Sequence, residues 1–245
     1  MIFNGFFVNG LYQYLAEKGN APAWLMIAFV LVCIASSYLL GSLNFAIIVS
    51  NKRYKDDVRM HGSGNGGTTN MLRTYGKRAA VLTILGDMLK AVVAVTIGCT
   101  LLGLTFGGYL CAFFCVLGHV FPIFYRFKGG KGVATSAAAI LMLNPFVFLV
   151  IIFVFTVIVV GTKYVSLGSV MAALIYPVVL HTVDEITMSW YVTHNTLPGS
   201  DIIFAFLMMV TVVFMHRENI KRLISGTESK ISFKKKNKDK DSGNE

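Results

Sequence analysis

Apolar stretches follow one another from Trp24 to Met215 with so few charged residues between them that the chain can fold in only one solvent. Hydrophobic residues make up 55% of the 245 and charged ones 14%, and mean hydropathy is +0.66. No soluble domain needs that much apolar surface. The stretches near 24–48, 80–102, 108–125, 133–143, 146–160, 165–181 and 201–215 read as spans of a hydrocarbon core ~30 Å thick. The fourth is too short to cross upright, which predicts a broken or tilted element, or one merged with the loop before it. Asn144-Pro145 marks the turn after it. The uncharged break 103–107 leaves six spans as the competing count.

Charge decides between six and seven. Of the 22 Lys and Arg, 20 fall in 51–79, 126–131, the turn at Lys163 and the segment after the last span. Alternate segments hold only Lys18, and Lys90 sits inside a span. By the positive-inside rule the N-terminus is outside and the C-terminus cytoplasmic, which requires an odd number of spans. The expected fold is all-α: a polytopic membrane protein with seven transmembrane helices. No soluble insert is large enough to hold its own core, so 1–229 reads as one domain. The polar, lysine-rich 230–245 reads as a disordered cytoplasmic tail, with Lys234, Lys235 and Lys236 against anionic headgroups. The run from Trp24 has an uncharged front and no small-residue cleavage site, so it does not read as a signal peptide. Segment 182–200 reads as a short external loop with Trp190 and Tyr191 as interfacial anchors, and His181 and His194 as incidental. Cys33, Cys99, Cys111 and Cys115 all fall in spans without zinc-like spacing, which predicts no disulfide and no metal.

Against this background the polar residues stand out. His61–Arg73 reads His-Gly-Ser-Gly-Asn-Gly-Gly-Thr-Thr-Asn-Met-Leu-Arg, and a second loop, Phe127–Thr135, is again rich in glycine and cations. Such loops turn backbone N–H groups toward an anion. Gly62–Gly67 fits G-x-G-x-x-G but neither follows a strand nor opens a βαβ unit, and Tyr125 stands where a Walker A loop needs glycine. Dinucleotide binding and ATPase chemistry are therefore not expected. Ser136 follows the second loop directly, the helix leading to that loop adds His119, and the fifth–sixth turn adds Ser166 and Ser169. The last span ends in His216-Arg217-Glu218-Asn219, where His216 and Asn219, three apart, share a face. All lie on the predicted cytoplasmic side. Asp87 and Lys90, also three apart, read as an ion pair within the second span. A transporter would show repeated halves and polar residues at mid-membrane, and a CDP-alcohol phosphotransferase would show a cluster of aspartates. Neither pattern is present.

From Leu39 to Glu228 these residues resemble the bacterial acyl-phosphate:glycerol-3-phosphate acyltransferases, the PlsY family. Three blocks carry the resemblance: Gly41-Ser42 with His61–Arg73; His119–Pro122 with Phe127–Thr135; and His216–Ile220 with Arg222-Leu223 and Gly226–Glu228. Asn44 departs from a usual proline, which predicts a less bent first span, and Thr68 from a usual alanine. The resemblance implies transfer of a fatty acyl group from acyl-phosphate to the 1-hydroxyl of sn-glycerol 3-phosphate. A mixed anhydride carries its own leaving group, so no serine or cysteine nucleophile is required. It implies His216, Asn219 and Ser63 as catalytic residues. Substrate binding falls to Arg73, Lys131, Ser169, Asn65, Thr68, Asn70, Gly129, Gly130 and Gly132. The base is left open between His216 and a phosphate oxygen of the donor. No metal or other cofactor and no nucleic acid is implied; the expected partners are the two substrates and the lipids of a bacterial cell membrane.

Overall fold

A computed structural model describes residues 2–191 and 199–231, and all regular structure among them is helical. The helices are α1 (Ile2–Glu17), α2 (Ala23–Ser42), α3 (Phe45–Val49), α4 (Thr68–Tyr75), α5 (Lys77–Leu102), α6 (Tyr109–Val120), α7 (Val133–Leu143), α8 (Pro145–Thr162), α9 (Val165–Tyr191), α10 (Ser200–Met215) and α11 (Arg217–Ile224). Among the described residues four helical stretches are long and apolar enough to cross a bilayer, and α10 with α11, bent by 56°, makes a fifth if the pair is one span. Large apolar side chains such as Leu89, Phe153 and Val178 are exposed on the outside. In water such a surface would aggregate; in lipid it is solvated. Inside, α5, α6 and α7 meet through Ala91, Ala94, Ala112, Ala138 and Ala139, all buried. Small residues let helix backbones approach where no hydrophobic effect drives them together.

The break after α5 is a reversal. In one continuous helix the 32 residues from Asp87 to His119 would separate them by about 48 Å, yet Nδ1 of His119 lies 3.4 Å from Oδ1 of Asp87. α6 therefore folds back along α5. Asn144 caps α8, accepting from the Val147 N–H at 3.2 Å with Pro145 in the first turn, as the sequence reading expects. Helix α7 is a separate element whose 11 residues rise only about 16 Å, half a bilayer core.

Two expectations need correction, and two further segments take a form the sequence did not foreshadow. The first expected span is interrupted at Leu43-Asn44. The helix stops at Ser42, and Asn44 starts α3 by accepting from the Ile47 N–H at 3.1 Å while donating to Gly66 O at 3.0 Å. One amide side chain thus both caps α3 and ties it to the first glycine loop. The third span ends at Val120, not 125, because 121–132 is loop with one short turn. Half of the expected external loop 182–200 is helix, since α9 runs on to Tyr191. Finally, the N-terminal extension is helical: α1 kinks at Gly10 and lies so close to the α5–α6 turn that a Cβ at Gly10 would sit 2.3 Å from Gly103 N. The side chains of Trp190 and Tyr191, with His194 and the tail from 232 onward, lie outside the described residues. All four cysteines are free and buried.

Candidate active site

One side chain organises the first glycine loop. Asn70 Nδ2 donates to the carbonyls of Val58 (2.9 Å), His61 (3.0 Å) and Asn65 (3.0 Å), and its Oδ1 accepts from the Ser63 N–H at 3.0 Å. An amide serves here because it offers donors and an acceptor together. Arg59 pins the loop to the second one: Nη1 donates to Tyr125 O (2.9 Å) and Lys128 O (3.0 Å), while Asp57 holds the guanidinium at 2.7 Å. The Gly66 N–H donates to Gly129 O at 3.2 Å, closing the seam. At Gly130 a Cβ would meet His119 Nε2 at 2.2 Å and Gly66 O at 2.7 Å, so only glycine allows that approach.

Beneath the seam lies a buried polar cluster. Lys90 Nζ is 2.8 Å from Asp87 Oδ1 and 2.9 Å each from Gly41 O, Leu43 O and His119 Nδ1. Two of those acceptors are carbonyls left open where α2 ends, so the lysine caps that helix from outside. A buried charge survives in an apolar bundle only with such pairing. The ion pair expected between Asp87 and Lys90 is present, with His119 as its third member.

Above the seam the last helices bring a second network. Lys131 Nζ donates to Asn219 Oδ1. Asn219 Nδ2 donates to Glu228 Oε1 at 2.7 Å, which also accepts from Ser166 Oγ at 2.9 Å, and Arg222 Nε reaches Glu228 Oε2 at 2.7 Å. Glu228 is buried; burial works against its charge, but the hydrogen bonds from Asn219, Arg222 and Ser166 hold its carboxyl below the usual range. Burial, with Arg222 and Arg73 nearby, lowers Lys131 to about 8. His216 sits at the break beyond α10, where burial and then Lys131 push it down to about 4. Its Nδ1 lies 2.8 Å from Val212 O. A carbonyl only accepts, so Nδ1 carries the proton and Nε2 keeps a free lone pair.

Both networks open on one cavity of about 340 Å³. Ser63, Asn65, Thr68, Asn70 and Arg73 line it from the first loop and α4, and Lys131 and Gly132 from the second loop. Ser169, His216 and Asn219 join Ser166 and Glu228 at the polar end, and the far end is mainly apolar. Ten of the twelve expected site residues thus share one space. Gly129 and Gly130 do not line it: their N–H groups donate to Val120 O and His119 O at 3.2 Å each and are unavailable to a ligand. Asn70 likewise has its amide committed to the loop. The sequence reading gathered His119, Ser136 and Ser166 among the polar residues of the cytoplasmic edge without giving them a role, and had Glu228 only as part of the third block. It gave no signal for Tyr176, which, like Ser136, lines the cavity with a hydroxyl lacking a hydrogen-bond partner. Among the described residues no group of three His, Cys, Asp or Glu could hold a metal, and His216 has no serine or cysteine as hydrogen-bond partner.

A family model described as glycerol-3-phosphate acyltransferase matches residues 31–226. A glycerol-3-phosphate acyltransferase of Clostridioides difficile (strain 630) is 40% identical over 213 residues, covering 85% of this chain and 98% of that protein. One from Neisseria meningitidis serogroup B is also 40% identical, over 83% of this chain and 98% of its own length. The solved structure of PlsY (YgiH), an integral membrane glycerol 3-phosphate acyltransferase in its glycerol 3-phosphate form, superposes with a TM-score of 0.72. It is 32% identical and covers 83% of this chain and 96% of its own. Its lysophosphatidic acid form gives 0.69.

Proposed function

The chain belongs to the glycerol-3-phosphate acyltransferase family of membrane enzymes of phospholipid synthesis, and we propose that its acyl donor is an acyl-phosphate. The 1-hydroxyl oxygen of sn-glycerol 3-phosphate attacks the acyl carbonyl. The C–O bond to phosphate breaks, and lysophosphatidic acid and inorganic phosphate leave. The observation that carries this reading is the composition of the polar end. Two cations, Arg73 and Lys131, face one cavity without any nucleophile–base pair. Such a site positions two phosphates and offsets their repulsion, leaving an activated donor to react directly.

Arg73 and Lys131 hold phosphate, helped by the uncapped N-terminus of α7 behind Gly132. Ser63 donates to a substrate oxygen. Asn219, fixed by Glu228, keeps Lys131 aimed inward. His216 Nε2 accepts from the attacking hydroxyl and orients it, and a phosphate oxygen of the donor takes the proton. Asn65, Thr68 and Ser169 contact the substrates. Gly129, Gly130 and Asn70 serve by shaping the loops.

The seven-span arrangement, with N-terminus outside and C-terminus in the cytoplasm of a bacterial cell, is part of the same proposal. The cation asymmetry and the reversal between α5 and α6 support it, because together they bring the three polar segments to one side. Purified protein given labelled glycerol 3-phosphate with acyl-phosphate, acyl-CoA or acyl carrier protein thioester tests the donor. Product from acyl-phosphate alone is expected; equal or better use of a thioester would overturn the assignment.

A further inference from the structure

The cavity ends on a tyrosine. On α9, Ser169, Ala172, Ala173 and Tyr176 stand at i, i+3, i+4 and i+7, and all four line the cavity. They form one stripe that climbs about 10 Å from the polar mouth. Just past α10, which runs the other way, His216 stands at the mouth, with Val212, Met209 and Met208 of α10 leading inward. Nothing beyond Tyr176 on α9 or before Met208 on α10 lines the space; there Leu180 and Ala205 are fully buried in the core. Ile140, Phe148 and Ile151, whose side chains offer no hydrogen bond, complete the walls. Tyr176 is 3% exposed and its hydroxyl has no hydrogen-bond partner. Packing alone does not call for it, since phenylalanine would fill the same volume without stranding a polar atom.

We propose that Tyr176 closes the inner end of the acyl-chain channel and sets the longest chain that the enzyme uses efficiently. The inference rests on the acyl-phosphate reading. With the donor's phosphate held at Lys131, the apolar chamber is the continuous space into which its chain can extend. The methyl end then meets the Tyr176 ring, and a longer chain must bend or stay partly outside.

The test is kcat/KM for a series of saturated acyl-phosphates one methylene apart, measured on wild type, Tyr176→Leu and Tyr176→Trp. In wild type each methylene that reaches the chamber should raise kcat/KM roughly three- to fourfold until the chain meets the ring, after which the gain stops. The leucine variant should move that break to longer chains and the tryptophan variant to shorter ones. A shift in the tryptophan variant is sufficient should the leucine variant fail to fold. Active variants that break at the wild-type length overturn the proposal and leave the donor assignment intact. A wild-type enzyme that accepts no acyl-phosphate of any length overturns both.

Discussion

The ammonium of Lys90 and Nδ1 of His119, 29 positions apart in sequence, meet at 2.9 Å inside the bundle. The contact joins α5 to the end of α6, from which the second glycine loop departs, and the same ammonium reaches the open end of α2. Replacing Lys90 with Met should therefore act through stability, by leaving Asp87 buried without its partner. Such a break costs about 3–5 kcal/mol. Thermal unfolding in detergent should show a large drop, partly recovered by adding Asp87→Leu. A Lys90→Met protein as stable as wild type would mean that the pair contributes little.

That cluster also marks how far the sequence could be read. Hydropathy located the apolar helices, because burial in lipid leaves few alternatives, but not all of their ends: α6 stops at Val120 and α9 runs on to Tyr191. It missed α1, whose Asn4, Asn9 and Gln13 dilute the apolar signal and whose packing depends on Gly10 meeting Gly103. The residue types at the mouth were legible as a set, since cations and glycines are conspicuous in an apolar chain. Their division of labour was not. Gly129 and Gly130 look like phosphate donors in sequence but spend their N–H groups on the end of α6. Glu228 lies 62 positions from Ser166, and only the folded chain shows that one carboxylate orders both it and Asn219.

Lys131 should contribute phosphate affinity. Lys131→Ala removes a charge-assisted contact of about 1.5–3 kcal/mol, or roughly 10- to 150-fold in KM for the substrate whose phosphate it holds. Burial lowers its amine to about 8, so the charged form prevails below that pH and is lost above it. In wild type, apparent affinity should fall as pH rises through 8, and Lys131→Arg should flatten that limb. An alkaline limb that persists in the arginine variant would assign it to another group.

Glu228→Gln should lower turnover more than substrate affinity. One carboxylate oxygen becomes an NH₂ facing either Arg222 or the Asn219 amide, so Asn219 is no longer held on both sides. Arg222→Met should be milder, because its side chain is 41% exposed. The comparison is kcat and KM for both variants alongside unfolding temperature. Equal losses would place the weight on the ion pair and not on Asn219.

Topology can be read with tags. A reporter after Glu245 should score as cytoplasmic, and an epitope placed between residues 192 and 198 as external. Both on one side would refute the seven-span map and separate His216 from the two glycine loops across the membrane.

The last prediction concerns the proton. Nδ1 of His216 is held by the Val212 carbonyl, and its free Nε2 belongs to a ring that burial and Lys131 have pushed down to about 4. The ring is therefore neutral at physiological pH and can accept a hydrogen bond, but it is a weak base for a hydroxyl proton. As general base it would have to be unprotonated, so activity would rise with pH through about 4, and His216→Gln would lower turnover by roughly 10²–10⁴ while abolishing that step. As an orienting acceptor it is replaceable in part: glutamine offers a carbonyl oxygen near the same place, keeps much of the turnover and mainly raises KM for glycerol 3-phosphate. The second outcome is expected. Any step near neutral pH should then persist in the variant, because substrate phosphates titrate there and carry the proton away. Collapsed turnover in His216→Gln, with unchanged substrate affinity and a lost acid step, would make His216 the base.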